Sequence, residues 1–384
     1  MLNDYTRLIK IIDNFDIKGD IFNIDVISSG IINNTYVISV NNDGEIIKYL
    51  LQKINTRAFK EPFKLMKNIE NVTKYIKDND TESKEVISVI KTKDGSSLYV
   101  DEDLFSHKEY YRIYNYIDDT VSYNVSLDSS VVFNTGKAFG HFGKVLRDYP
   151  IDMLEDTIEN FHNTKKRYEN FIETCKLDPV SRNKFAKTEI NKIIKRKDVC
   201  CSITDLLDTN MIPYRVTHND TKVNNVLMDP KTGKPIAVID LDTVMKGSGL
   251  YDYGDGIRSA TSTASEDETD LSKVSINMEL FKAYTDGYLS EMAPYLNELE
   301  VNNMANSIRI ITLELAIRFL DDYLNKDTYF KTSYDNHNLD RARNQLKLVE
   351  DIESKITIME EYVRESYNRY NNTKVKKLKL DWDK

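Results

Sequence analysis

Asp220, Asn225 and Asp240 stand at intervals that could do chemistry. They lie in the stretch VTHNDTKVNNVLMDPKTGKPIAVIDLDT, with His218 just before Asp220 and with Asp240 and Asp242 closing the second apolar run. A carboxylate and an amide oxygen are hard ligands, suited to a divalent cation that bridges phosphates. A second carboxylate beside such a cation can take the proton of an acceptor hydroxyl, and phosphoryl transfer asks little more covalent help of a protein. Asp220 fits the proton-accepting role, and Asn225 and Asp240 fit metal ligation. Lys222 can neutralise charge on the transferring group. His218 reads as a structural member that hydrogen-bonds the loop backbone. The bland alternative is an Asn/Asp-rich turn before an ordinary hairpin, since turns favour these residues. The His-x-Asp-x4-Asn spacing and the Val-Ile-Asp end of the next run argue against it.

These residues need a hairpin to bring them together. Two β runs, Asn225–Asp229 and Pro235–Asp240, flank the turn Pro230-Lys231-Thr232-Gly233-Lys234. If the turn is centred between Thr232 and Gly233, Leu227 opposes Val238 and Asn225 opposes Asp240. Directly opposed Cβ atoms lie about 4.5–5.5 Å apart. A slip of one residue breaks the pairing, so the register is a definite expectation.

The remaining elements must position that hairpin. FNIDVIS and NTYVISV read as strands, followed by Asn42-Asp43-Gly44-Glu45 and IIKYLLQKI, a strong hairpin signal. Glu61-Pro62 opens a helix with Phe63, Met66, Ile69, Val72 and Ile76 at helical spacing. A second hairpin is expected from Val86–Ile90 through Asp94-Gly95 to SSLYV, with YYRIYNYI as last strand and connector. Residues 1–117 thus read as a small β-rich lobe with one inserted helix. Residues 118–384 read as a larger, mostly helical lobe, with helices from about 124 and over 153–172, 183–207, 275–295, 301–326 and 339–370, interrupted by β structure at 216–242. The fold class is α+β. The amphipathic start MLNDYTRLIKIIDNF is a helix, not a signal peptide.

Composition narrows the partners. With 384 residues, 40% of them hydrophobic, the chain can bury a sizeable core. A net charge of −9 without a long basic block excludes a general binder of nucleic acid or of an anionic membrane. The apolar stretch IRIITLELAIRFL is broken by Arg309, Glu314 and Arg318, so no segment spans a bilayer. Cys175, Cys200 and Cys201 are too few and too close for a disulfide framework, and read as reduced thiols of a cytoplasmic protein. The tail NNTKVKKLKLDWDK reads as a solvated segment that Trp382 can pin down.

The central block resembles the aminoglycoside phosphotransferase and choline kinase superfamily, whose signature is a His-x-Asp-x4-Asn loop followed by an Ile-Asp strand end. RVTHNDTKVNNVLMD, AVIDLDTVMKGSGLYDYGDGIRSATSTASEDE, LLQKINTRAFKEP, FHNTKKRY and LELAIRFLDDYLNKDTYF are similar to its N-acetylhexosamine 1-kinase branch. The resemblance implies a two-lobed protein-kinase-like fold with the nucleotide in the interlobe cleft. It implies ATP as co-substrate, Mg2+ as cofactor, and transfer to the anomeric hydroxyl of N-acetylglucosamine or N-acetylgalactosamine. Asp220 would be the general base, and Asn225 and Asp240 would hold magnesium. A monomer working on a sugar and ATP is expected.

Two features depart from the kinase pattern. The Gly-rich loop is replaced by Ser29-Gly30-Ile31-Ile32-Asn33-Asn34-Thr35, so the backbone at Gly30 and the side chains of Asn34 and Thr35 are expected to cover the phosphates. The strand-three lysine is ambiguous, because Gln52 and Lys53 point to opposite faces. Lys53 is taken as the cation near the phosphates, with Glu70 as a possible ion-pair partner. Tyr114 and Tyr116 belong to the connector expected to meet the adenine. Asp252 is expected to brace the catalytic loop, with Asp255 and Arg258 lining the acceptor site. His162, Arg318 and Asp322 are candidates for the sugar. A helix-cap histidine and a surface salt-bridge patch stay open as readings of these three. A kinase for an aminoglycoside, choline or homoserine stays open too, as does a nucleotide-binding pseudokinase.

Overall fold

Asp43 and Gly44 both adopt positive φ, 52° and 93°, and the tight turn they make starts the N-terminal sheet. The computed structural model describes residues 2–27, 33–82, 85–103, 105–125 and 127–371. The N-terminal region runs α1 (Leu2–Ile12), β1 (Asp20–Ile27), β2 (Asn34–Asn42), β3 (Glu45–Lys53), α2 (Pro62–Asn79), β4 (Val89–Ile90), β5 (Tyr99–Glu102) and β6 (Lys108–Asn115). The strands form a six-stranded antiparallel sheet in the order β1-β2-β3-β6-β4, with β5 also on β6. The second hairpin expected from the sequence does not form as such. The Asp94-Gly95 turn is present, but β4 pairs with Tyr114 and Ile113 and β5 with Lys108–Tyr111. The two short strands share one edge of β6 in succession and do not face each other.

Alternation along β3 and β6 gives the sheet two apolar faces. Leu51, Tyr111 and Ile113 pack against Ile11, Ile12 and Phe15 at the end of α1 and just beyond it. Tyr114 and Leu50 look the other way, onto Leu65, Met66, Ile69 and Val72 of α2. Pro62 opens α2 at the helix start, where its missing N–H costs nothing.

The C-terminal region contains α3 (Ser129–Val145), α4 (Thr164–Leu177), α5 (Lys187–Ile194), α6 (Lys197–Asp208), β7 (Arg215–Thr217), β8 (Val226–Met228), β9 (Pro235–Val238), β10 (Met245–Gly247), α7 (Gly249–Thr261), α8 (Met278–Met292), α9 (Glu298–Leu324) and α10 (His337–Asn371). A sheet-bearing N-terminal region followed by a larger helical one is the expected α+β, protein-kinase-like architecture.

Three helical expectations change. The helix placed at 153–172 begins only at Thr164, because the Asn163 side chain caps it by accepting the Lys166 N–H at 2.9 Å. The run 183–207 splits into α5 and α6 where Arg196 leaves helical dihedrals. α7 carries no helical signal, since YDYGDGIR holds two glycines, poor helix formers. Both are needed for packing. A Cβ on Gly254 would lie 2.7 Å from the Ser307 carbonyl oxygen, and one on Gly256 would collide with the Tyr284 hydroxyl. α7, α8, α9 and α10 share the largest apolar core. All three cysteines are free. No helix among the described residues is long and apolar enough to cross a membrane. Gly30 and the tail with Trp382 lie outside the described residues.

Candidate active site

The segment between β7 and β8 is held from three sides. Asn219 sits at φ 64°, a left-handed conformation that asparagine tolerates. Asp252, in the first turn of α7, accepts the backbone N–H groups of His218 and Asn219, each at 2.7 Å. Its carbonyl accepts the Thr221 hydroxyl at 2.7 Å. Burial raises the Asp252 carboxyl to about 7, although the two N–H bonds pull it down. The His218 ring is wedged against Phe139 and Phe142 of α3. Burial holds it below its ordinary value, hence neutral. Its Nε2–H donates to the Ile239 carbonyl at 2.9 Å, and Nδ1 accepts the Asp220 N–H at 3.3 Å. Asn219 Nδ2 donates to the Thr243 carbonyl at 2.8 Å, while the Thr243 hydroxyl donates to the His218 carbonyl at 2.7 Å. The loop and the turn after β9 are thereby fixed to one another.

The hairpin register differs from the symmetric expectation. Val226 pairs with Val238 and Leu227 with Ala237, but Met228 pairs with Pro235, so the ribbon is irregular beside a proline that lacks an N–H. Asn225 consequently faces Ile239, whose N–H donates to the Asn225 carbonyl at 2.9 Å. Asp240 still turns back, because its backbone adopts φ 61° and ψ 56° instead of continuing the strand. Asn225 Nδ2 donates to the Asp220 carbonyl at 2.9 Å and to Asp220 Oδ2 at 3.2 Å. Its Oδ1 then remains available as a ligand. Lys222 Nζ lies 2.8 Å from Asp220 Oδ1. Burial works against the Lys222 charge, but Asp220 and Asp255 hold it above its usual value.

These residues fit a divalent cation. Asp240 is pushed up to about 7, first by burial and then by the Asp242 and Asp220 carboxylates, with Arg112 and Lys222 opposing. The residue nevertheless keeps an exposed surface, and the two like charges act on it across that opening. Among the described residues Asp240 has no hydrogen-bond or ion-pair partner. An unpaired carboxylate crowded by two others, one residue past the Ile239 N–H that binds the Asn225 carbonyl, offers a donor set that a hard cation satisfies.

Asp242 is different, and with it appear residues the sequence reading did not assign. It is 3% exposed and Arg112 is 1% exposed. Arg112 reaches from β6 to grip both carboxylate oxygens, Nη1–Oδ1 at 2.6 Å and Nη2–Oδ2 at 2.8 Å. Asn33 Nδ2 donates to the same Oδ2 at 2.7 Å. Gln52 Oε1 accepts from Arg112 Nε and Nη2 at 3.0 and 2.8 Å, and Gln52 Nε2 donates to Thr35 Oγ1 at 3.2 Å. The available signal was one arginine inside the aromatic run YYRIYNYI.

Several expected nucleotide residues are placed elsewhere. Lys53 lies on the face of the sheet opposite Gln52, where it pairs with Glu109, which Arg7 of α1 also holds at 2.7 Å. Glu70 pairs with Lys91, not with Lys53. Tyr114 is buried, with the Arg112 guanidinium 5.1 Å from its ring centre. Tyr116 is 38% exposed, and its N–H donates to the Lys48 carbonyl at 3.3 Å. Thr35 is buried under Gln52, whereas Asn34 is exposed.

On the other side of Asp220, His162 is neither a helix cap nor a free hydroxyl ligand. Its Nδ1 lies 3.0 Å from Glu314 Oε1, and its Nε2 lies 3.3 Å from the Asn219 carbonyl. Burial disfavours its charge, but Glu314 and Asp255 hold its pKa above the ordinary value. Asp322 is closed as well: it accepts the N–H groups of Thr328, Tyr329 and Phe330 at 2.8–2.9 Å and the Asn338 amide at 2.9 Å. It shapes the loop after α9 and has no oxygen left for a sugar. Arg318 makes no hydrogen bond or ion pair among the described residues. Its guanidinium is framed by Phe161, Tyr329 and Phe330, 5.5–5.9 Å from their ring centres. Asp255 and Arg258 pair at 2.9 Å, and Arg258 also holds Glu266 at 2.6 Å.

Residues 23–295 match the family model described as the phosphotransferase enzyme family. The fold is also similar to that of a microcompartment-associated aminopropanol kinase (TM-score 0.63, 14% identity, covering 93% of this chain and 98% of that one). An aminoglycoside phosphotransferase from Alicyclobacillus acidocaldarius gives 0.62 at 10% identity, covering 93% and 96%. An amicoumacin kinase in complex with AMP-PNP and Ca2+ gives 0.59 at 12% identity, covering 92% and 94%. At these identities the structures speak for the fold alone. The family match spans the sheet from β1 onward, the Asp220 loop, the hairpin and α7, and the chain belongs to the phosphotransferase enzyme family.

Proposed function

We propose that this protein transfers the γ-phosphoryl group of ATP, with Mg2+, to the anomeric hydroxyl of an N-acetylhexosamine, giving the sugar 1-phosphate. Residues 1–117 would cover the nucleotide and residues 118–384 would carry the chemistry. The observation that carries the phosphoryl-transfer reading is the unpaired Asp240 carboxylate beside Asn225 and Asp220. Asn225 and Asp240 would hold the metal, which when bound offsets the charge of the nucleotide phosphates. Asp220 takes the proton of the acceptor hydroxyl. Asp252, His218 and Asn225 keep the loop from moving while it does so, and Lys222 keeps positive charge beside the transferring group.

The choice of acceptor rests on charge. Most carboxylate oxygens on the acceptor side are engaged: Glu314 holds His162 and Arg167 through Oε1, with its buried Oε2 left without a hydrogen bond, Asp255 pairs with Arg258, and Asp322 accepts backbone N–H groups. Among the described residues Arg318 is a cation there without a hydrogen bond or ion pair, set among aromatic faces. A cationic acceptor would meet repulsion from it. A neutral sugar offers hydroxyl and amide oxygens to the guanidinium and an apolar ring face to the aromatics. The anomeric hydroxyl is the most acidic of the ring hydroxyls, so a carboxylate of ordinary basicity suffices.

The test is to incubate the protein with ATP, Mg2+ and N-acetylglucosamine or N-acetylgalactosamine, then measure ADP and reducing ends together. Loss of one reducing end per ADP is expected. Phosphate transfer with reducing ends intact excludes the 1-kinase, and ADP release only with choline, aminoglycosides or homoserine excludes the sugar.

A further inference from the structure

We infer that Arg112 is a positioning residue for metal-dependent nucleotide binding: by clamping Asp242 it fixes the turn that carries Asp240 against the N-terminal sheet. The inference rests on the phosphotransferase reading above and adds a residue to it.

Arg112 is a buried cation on the face of the sheet that carries Gln52, the face from which Lys53 is absent. It does not act by touching phosphate. A guanidinium has five N–H donors. Here Nε–H goes to Gln52, the two on Nη2 go to Gln52 and Asp242, and those on Nη1 meet Asp242 and, at 3.7 Å, Met66 Sδ. None is left for a ligand, and the side chain is sealed from solvent. Its effect must therefore pass through Asp242.

Asp242 lies in the short helical turn Leu241–Thr243, which Asp240 enters from a left-handed conformation. One residue on, Thr243 is bound to His218 and Asn219 of the catalytic loop. The turn is thus anchored to the loop on one side and to β6 on the other. The Nη2–Oδ2 hydrogen bond and the close Nη1–Oδ1 ion pair, which lacks hydrogen-bond geometry, hold both oxygens of the carboxylate in place. Asn33, at the entrance to β2, binds the same oxygen, and its Oδ1 accepts the Asn55 N–H at 3.0 Å. A sheet strand, the entrance to β2 and the metal-side turn therefore meet at one buried carboxylate. The pairing also settles which of the two acids is available: Asp242 is compensated and Asp240 is left free.

The experiment compares wild type with Arg112→Lys, Arg112→Gln and the double variant Arg112→Gln/Asp242→Asn. Calorimetric titration with AMP-PNP is run with Mg2+ and again in EDTA. Thermal unfolding and KM for ATP and for the acceptor are measured alongside. Loss of a partner that orients a metal ligand's surroundings typically weakens metal affinity about 10–100-fold, and a drop of that order in Mg2+-dependent affinity is expected for all three variants. Arg112→Lys should not rescue, since a single ammonium cannot bridge Gln52 and both Asp242 oxygens at once. Binding in EDTA and the acceptor KM should stay within about twofold, as neither depends on that turn. The double variant removes both buried charges, so it should regain the melting temperature lost in Arg112→Gln without regaining affinity. A double variant that melts like wild type and binds Mg2+ and AMP-PNP like wild type overturns the inference and leaves the kinase reading intact. Wild-type protein that binds no AMP-PNP with Mg2+ overturns both.

Discussion

Asp220 is oriented by its neighbours more than by its own helix or strand. His218 Nδ1 accepts its N–H, Asn225 binds its carbonyl and one carboxylate oxygen, and Lys222 binds the other. Replacing it by asparagine keeps the shape and the bond from Asn225 but removes the proposed proton acceptor. We expect Asp220→Asn to lower kcat by about 10²–10⁴, the usual worth of general acid–base help, with nucleotide affinity and melting temperature little changed. Continuous ADP release and a thermal melt check this, and a variant at full rate takes Asp220 out of the mechanism. At this scale the sequence was informative where chemistry fixes spacing. His218, Asp220, Asn225 and Asp252 are joined by hydrogen bonds, while Asp240 comes near Asp220 in a register other than the one their intervals suggested. It was uninformative where a partner decides. Gln52 and Lys53 differ only in which face they present, and that choice depends on Arg112 lying opposite Gln52 and Tyr111 opposite Lys53 on a strand about sixty residues away. Arg112, Asn33 and Asp242 form one site from three distant segments, and no local pattern announces such a meeting.

Elements place side chains by how they end. The hairpin was legible as a hairpin, but its register was not, because Pro235 interrupts the ladder and shifts the pairing between Leu227 and Met228. Asp240 is recovered by a left-handed residue that no periodicity signals. α7 was invisible because its glycines serve contacts with Ser307 and Tyr284 instead of helix propensity. The end of α9 shows the same logic. Asp322 ties down three successive N–H groups, and the loop it shapes holds Tyr329 and Phe330 beside Arg318. Asp322→Ala leaves buried donors unmet, each costing about 1–3 kcal/mol. We expect a lower melting temperature together with a raised acceptor KM and an unchanged KM for ATP. Equal rises in both constants would show general loosening instead. His162 links α9 to the Asp220 loop and adds a pH term. Glu314 and Asp255 raise its pKa above the ordinary value of about 6.5. The folded state then binds the proton more tightly than the unfolded chain. This stabilisation is complete below about 6.5 and fades as pH rises through the raised folded value. The melting-temperature gap between wild type and His162→Asn should therefore narrow from pH 6 towards pH 9. A gap that is constant or widens contradicts a charged His162–Glu314 pair.

The two regions of the molecule are joined by more than the connector after β6. One apolar cluster contains Leu65, Met66, Ile69 and Val72 of α2 together with Phe142 of α3, Val216, Leu241 and Val244. Asn68, fully buried on α2, donates to the Glu155 and Val244 carbonyls at 2.8 and 3.0 Å and accepts the Glu155 N–H at 2.8 Å. The Arg112–Asp242 pair crosses the same boundary. A core and a buried polar network that both span the junction couple the stability of the sheet to that of the helices. We therefore expect one unfolding transition, seen at the same temperature by far-ultraviolet circular dichroism and by the near-ultraviolet signal of the tyrosines. Two separated transitions would show that the regions unfold independently. A ligand bound only by the native state should move the whole transition upward. AMP-PNP at a hundred times its Kd is worth about 2.7 kcal/mol. If Asn225 and Asp240 are the metal ligands, this shift should need Mg2+, shrink in EDTA, and be small in Asn225→Ala even with Mg2+ present. An undiminished shift in that variant would mean that the nucleotide is held without this hairpin. The metal would then have to be sought elsewhere in the cleft.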